Sequence, residues 1–202
     1  MSTGRVEAFS DGVIAVIITI MVLELKVPGD TTTASLAALL PLLFVYTLSF
    51  LVVAIMWVNH HHFLRTAKRA DAPLLWANNN LLFWMSLIPF ATAYMGKNHG
   101  APLAVAFYGV VLALACGAFL LLQIILAKHN AGDPARRAQY RRLHRKSILS
   151  IALYLGSVGS AFISVYVSFV VFVSIPILYF LPERKLHDAS PDMLETNHKE
   201  NS

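Results

Sequence analysis

A chain of 202 residues that is 57% hydrophobic and only 13% charged, with a mean hydropathy of +0.62, is excluded from the ordinary soluble domains and reads as a polytopic, all-α membrane protein. The net charge of +5 sits in loops on one side of a membrane, which the positive-inside rule explains, so no nucleic-acid partner is expected. The single cysteine, Cys116, lies in an apolar run, allows no intramolecular disulfide and reads as a small buried hydrophobe.

Six transmembrane helices are predicted, at about 5–27, 34–62, 74–94, 102–127, 148–162 and 165–181. They make one membrane domain over 1–182, followed by a polar tail at 183–202. The first segment lacks the basic leader and cleavage site of a signal peptide, so it is expected to stay as a span. Its uninterrupted apolar run, Gly12 to Leu23, is shorter than the ~20 residues that a bilayer core requires. Ser10 and Asp11, or Glu24 at the other end, must therefore lie near or inside the hydrocarbon boundary. Either they mark the two interfaces, or they face protein or water at a functional site. Phe9, Val13, Val16, Ile20, Leu23 and Val27 follow a 4-3-4-3-4 spacing, the seam of a helix packing on a partner or on copies of itself. Thr19 lies beside that seam. In a lipid-facing or core helix its hydroxyl would bond back to the preceding turn, whereas in a pore it would present a ring of hydroxyls.

The second span holds Pro41 near its start and ends in Trp57-Val-Asn59-His60-His61-His62-Phe63. Consecutive helical histidines point about 100° apart and cannot converge on one ion, so no metal site is expected there. Packing and hydrogen bonding to Ser10 or Asp11 fit better. His99, His129 and His144 fall in loops or at span ends, which argues against haem and leaves no cofactor expected. The third span carries Asn78, Asn79 and Asn80 at membrane depth, amides that need partners inside the bundle; Asn80 is assigned to face the first helix. Residues 96–100 read as a turn and Pro102 as the opening of the fourth span. Gly109, Gly117, Gly156 and Gly159 read as close-packing points. The long polar link 128–146 is basic and suits anionic lipid headgroups.

Placing both termini in the cytoplasm puts Arg5, the 65–69 and 128–146 clusters, Arg184, Lys185 and Lys199 inside, and only Lys26 and Lys97 outside. No P-loop, Gly-x-Ser-x-Gly or dinucleotide fingerprint is present, and nothing resembles an enzyme active site.

Arg5-x-x-x-Phe9-Ser10-Asp11, followed by Gly-Val-Ile-Ala-Val-Ile-Ile-Thr and by Leu23-Glu24-Leu25-Lys26-Val27-Pro28, resembles the first-helix signature of the endolysosomal potassium channel family, transmembrane protein 175, and more narrowly its bacterial branch. The resemblance implies a potassium-permeable cation channel in the cell membrane, a homotetramer with the first helix of each subunit on the axis. It implies a hydrophobic constriction at Val16, with Ile20 and Leu23 as further rings, and a selectivity-tuning role for Thr19. Arg5, Phe9, Ser10 and Asp11 would anchor the first helix, supported by Trp57, His60 and His61. The family usually carries Ile or Leu where this chain has Val16, so the tightest ring can be Val16, Ile20 or Leu23. No Thr-Val-Gly-Tyr-Gly loop is present, so selectivity has to come from side chains. The alternative is a proton- or ion-coupled secondary transporter in which Asp11 or a histidine carries the coupled proton. A scaffold or sensor that transports nothing is a third reading.

Overall fold

The structure, a computed structural model, describes residues 2–67, 69–98, 100–130 and 134–180, without the side chains of 134–139 and 180. Lys68, His99, the side chains of Arg136 and Arg137, and the 183–202 tail with Arg184, Lys185 and Lys199 lie outside the described residues.

The described residues are helical and contain no strand: α1 (Thr3–Leu23), α2 (Thr33–Ala37), α3 (Leu40–Leu64), α4 (Ala72–Ser86), α5 (Ile88–Lys97), α6 (Pro102–His129), α7 (Pro134–Ser160) and α8 (Val165–Phe180). α1, α2 joined with α3, and α6 are long and apolar enough to cross a membrane. The 21 residues of α1 cover about 31 Å at 1.5 Å per residue, close to the ~30 Å of a hydrocarbon core. The chain is a multi-pass membrane protein.

Prolines set most of the helix breaks. Pro28 disfavours helical backbone at Val27, and α1 ends at Leu23 with Glu24 as its cap. The seam therefore ends at Leu23, and Val27 lies beyond the helix. Pro41 stands in the first turn of α3. Its ring would clash with the carbonyl of Ala37, and there α2 stops. α2 is capped by the Thr32 hydroxyl, which accepts from the Ser35 amide at 3.2 Å. Pro89 likewise divides the third span at Leu87 into α4 and α5. Gly100, at φ 71°, supplies the left-handed turn before α6, and its amide donates to the Met95 carbonyl at 3.2 Å. α7 starts at Pro134 and not near 148, because a basic stretch forms helix as well as an apolar one when nothing breaks it.

α6 is the hub of the bundle. It packs against α3, α4, α5, α7 and α8, and Tyr108, Leu112, Leu122 and Leu126 are almost wholly enclosed. Gly109 lets α7 come close: a Cβ there would stand 2.9 Å from Ser157 Oγ. Gly117, Gly156 and Gly159 meet nothing within 4 Å, so within this subunit Gly109 alone of the four marks a tight helix crossing. Cys116 is buried and free. Tyr108 OH and Ser49 Oγ lie 2.9 Å apart, and Thr92 Oγ1 donates to Ser49 Oγ at 2.7 Å. Those contacts tie α3, α5 and α6 together where lipid could satisfy none of these hydroxyls. α1 lies to one side of this core, against α3, α4 and α5.

Candidate functional site

One face of α1 is buried and the other is open. Val6, Ser10, Ile14, Ile17 and Met21 are enclosed by α3, α4 and α5. At 3.6 residues per turn, a second stripe lies roughly 120° round the helix. Its members are Phe9 (57% exposed), Val16 (55%), Ile20 (43%) and Leu23 (79%), with Val13 half-buried between the two faces. Most of the seam visible in the sequence thus lies on the open side of α1, which also carries Gly12, Ala15 and Val22. Thr19 is exposed beside it, and its hydroxyl donates to the Val16 carbonyl at 2.9 Å.

Burial of apolar side chains holds α1 only weakly in a bilayer, because lipid is as apolar as the protein interior. Polar contacts at the N-terminal half do more to fix its rotation. Asn78 Nδ2, on α4, donates to Ser10 Oγ at 2.9 Å, and the Ser10 hydroxyl donates to the Val6 carbonyl at 2.8 Å. Asn78 Oδ1 lies 2.7 Å from His60 Nε2 on α3. Since that oxygen can only accept, His60 is the tautomer with its proton on Nε2. Ser10, Asn78 and His60 are each at most 1% exposed. The run of donors and acceptors from Val6 through Ser10 and Asn78 to His60 Nε2 joins three helices, while His60 Nδ1 is buried and has no hydrogen-bond partner.

Asp11 and Glu7 form a second, more open layer. Trp57 Nε1 donates to Asp11 Oδ1 at 2.9 Å, and His61 Nδ1 lies 2.8 Å from Glu7 Oε1. At the far end of α1, Lys97 Nζ donates to Glu24 Oε2 at 3.1 Å, an exposed pair worth at most about 1 kcal/mol.

Trp57, His60 and His61 thus stand with Ser10 and Asp11 as a group. Asn80 does not join them. It is half-buried and lies about 200° round α4 from Asn78, and Asn78 is the amide that meets α1. Glu7 was missed as well; its position one turn before Asp11 was the available signal. Arg5 is exposed and takes no part in the network. The choice among the three asparagines turns on the rotation of α4, which Pro89 and the packing on α6 determine and which the local pattern does not encode.

Comparison with known proteins adds an independent line. Residues 5–89 match the family described as Endosomal/lysosomal potassium channel TMEM175. The chain is 38% identical to a potassium channel of Chryseobacterium sp. (strain P1-3), over 92% of this chain and 96% of the relative. It is 36% identical to a potassium channel of Streptomyces collinus, over 80% of this chain and 84% of that one. A crystal structure of a lysosomal potassium-selective channel TMEM175 homolog from Chamaesiphon minutus superposes with a TM-score of 0.78 at 31% identity, covering 88% of this chain and 95% of that chain.

Proposed function

The chain belongs to the TMEM175 family, and from that premise we propose that it is a potassium-permeable cation channel in which four subunits place their α1 helices around one central pore. The observation that carries the pore assignment is the uncovered stripe of α1. Phe9, Val16, Ile20 and Leu23 lie on one line, while Asp11 and Ser10 of the same helix are engaged on α3 and α4. A single α1 cannot enclose a pore, so the stripe needs copies of itself across an axis.

In that arrangement Val16, Ile20 and Leu23 form successive apolar rings that pass ions only when wide enough to stay wet. Thr19 supplies the polar element between them. Its proton is committed to the Val16 carbonyl, so the lone pairs of Oγ1 are left for a cation, and four such oxygens replace part of a potassium ion's hydration shell. The hydroxyl's bond to the preceding turn, which is also what a lipid-facing threonine makes, is here what orients the oxygen outward.

Asp11 and the Ser10–Asn78–His60 group hold the helix in rotation; they do not meet the ion. Ser10 and Asn78 are buried within the subunit and the Asp11 carboxylate is taken by Trp57. Both termini are placed on the cytoplasmic side of the cell membrane, supported by the excess of basic residues in the loops on that side. The same basic segments favour anionic lipid headgroups.

Native mass spectrometry of the protein released from detergent tests the assembly. The expected species contains four chains of 22.3 kDa; a protein that stays monomeric in every mild detergent while still conducting would overturn the shared pore.

A further inference from the structure

The geometry points to a divalent transition-metal site built from Glu7, Asp11 and His61. One nitrogen of His61 and one oxygen from each carboxylate lie within 4.8 Å of one another. A zinc-class ion sits about 2.0–2.2 Å from such atoms, which puts its ligands roughly 3.3–3.6 Å apart in a tetrahedral shell. Glu7 and Asp11 stand one turn apart on α1 and His61 faces them from α3, so the three side chains converge from two helices.

Three further features suit a ligand set better than a plain ion pair. His61 Nδ1 lies 2.8 Å from Glu7 Oε1, yet the contact lacks hydrogen-bond geometry, and this nitrogen, closed off from solvent, has no hydrogen-bond partner at all. The nitrogen thus has a carboxylate oxygen beside it but no directed hydrogen bond, and a metal ion between the three groups would satisfy it. Asp11 Oδ1 accepts from Trp57 Nε1, which orients the carboxylate and leaves Oδ2 free, the arrangement in which an outer partner positions a metal ligand. The His61 ring is in turn flanked by the Trp57 ring, with centroids 6.2 Å apart.

The donor types narrow the ion. One imidazole with two carboxylates suits zinc, nickel or copper, while calcium and magnesium favour all-oxygen shells. Consecutive histidines cannot share an ion, but a single one is sufficient here. With three protein ligands the fourth position is left to water. Because Glu7 and Asp11 belong to α1 and His61 to α3, the ion would clamp the two helices together at the N-terminal end of α1. The site stands whether or not α1 lines a pore.

The test uses the full-length, tag-free protein in detergent, titrated with zinc chloride by calorimetry, with cobalt(II) absorption as a second readout. The variants are His61→Ala, Glu7→Gln and, as a neighbouring control, His62→Ala, an exposed residue. Wild type and His62→Ala should bind zinc with affinities within about twofold of each other and give the intense visible band of a low-coordinate cobalt site. His61→Ala and Glu7→Gln should each weaken zinc binding roughly tenfold or more and lose the band. Glu7 lies outside the buried Ser10–Asn78–His60 group, so Glu7→Gln keeps the test valid should His61→Ala fold poorly; melting without zinc checks this. Equal zinc affinity in all four proteins, or no binding by wild type, overturns the site.

Discussion

Asn78 on α4 donates to Ser10 on α1 at 2.9 Å, with both side chains almost wholly enclosed, and this bond ties the buried face of α1 to α4. Replacing Asn78 by Ala leaves His60 Nε2 without its acceptor and Ser10 Oγ with only its bond to the Val6 carbonyl. An unsatisfied buried polar group costs about 1–3 kcal/mol, or roughly 2–10 °C in melting temperature for a chain of this size. Asn80→Ala should change it by no more than about a degree or two. Thermal unfolding in detergent, followed by loss of the assembled peak on gel filtration, measures both; equal losses would mean the contact does not hold α1.

Asp11→Ala removes the acceptor of the Trp57 indole. Assembly and expression should fall more than ion preference shifts, and Trp57→Phe, which removes the donor and keeps most of the ring, should reproduce the defect in milder form. A normal tetramer yield with altered selectivity in Asp11→Ala would place the carboxylate in the ion path instead.

Much of this could be read from the chain before any coordinates. Of the seam that the spacing marks, Phe9, Val16, Ile20 and Leu23 stay uncovered in the structure and Val13 is half-buried, because an α-helix preserves its own periodicity whatever surrounds it. Pro102 opens α6 as expected, since a proline at a helix start forfeits a hydrogen bond that was absent anyway. Asn78 could not be separated from Asn80, because three amides in succession sample every direction and only tertiary packing selects one. The start of α7 at Pro134 was hidden for a different reason: hydropathy reports where a helix enters lipid, not where it begins. The meeting of Glu7 with His61 joins residues 54 positions apart, and local spacing carries no record of such pairs.

In the proposed pore, Thr19 is separable from the apolar side chains of α1 by substitution. Thr19→Ser keeps an oxygen at the same place and should retain most potassium preference, whereas Thr19→Val keeps the shape, removes the oxygen and should lose it. Reversal potentials in mixed potassium and sodium give the readout. Equal preference in Thr19→Val and wild type would remove the hydroxyl from the selectivity account.

Asp71 gives a pH-dependent prediction outside the membrane-spanning helices. It caps α4, accepting the Leu74 amide at 3.3 Å, with His129 at 3.1 Å and Arg69 at 3.3 Å from its other oxygen. Partial burial pushes its carboxyl upward, but the Leu74 amide and the two basic neighbours outweigh that and hold it below the ordinary 3.8. A lowered value means that the unfolded chain binds the proton more readily. The carboxylate's contribution is therefore present above the ordinary value and is lost as pH falls through the folded one. Asp71→Asn should flatten the fall in melting temperature between roughly pH 5 and pH 2 relative to wild type. An identical acid limb in the two proteins would contradict this.

Ion flux from liposomes tests the central claim most directly. Purified wild type, Val16→Asn and Thr19→Ala are compared under potassium and sodium gradients with no other ion gradient imposed. The account predicts passive potassium flux in wild type, a faster leak in Val16→Asn as the apolar ring becomes wettable, and reduced potassium preference in Thr19→Ala. Flux that neither substitution alters, or that requires a coupled proton gradient, would take the pore away from α1.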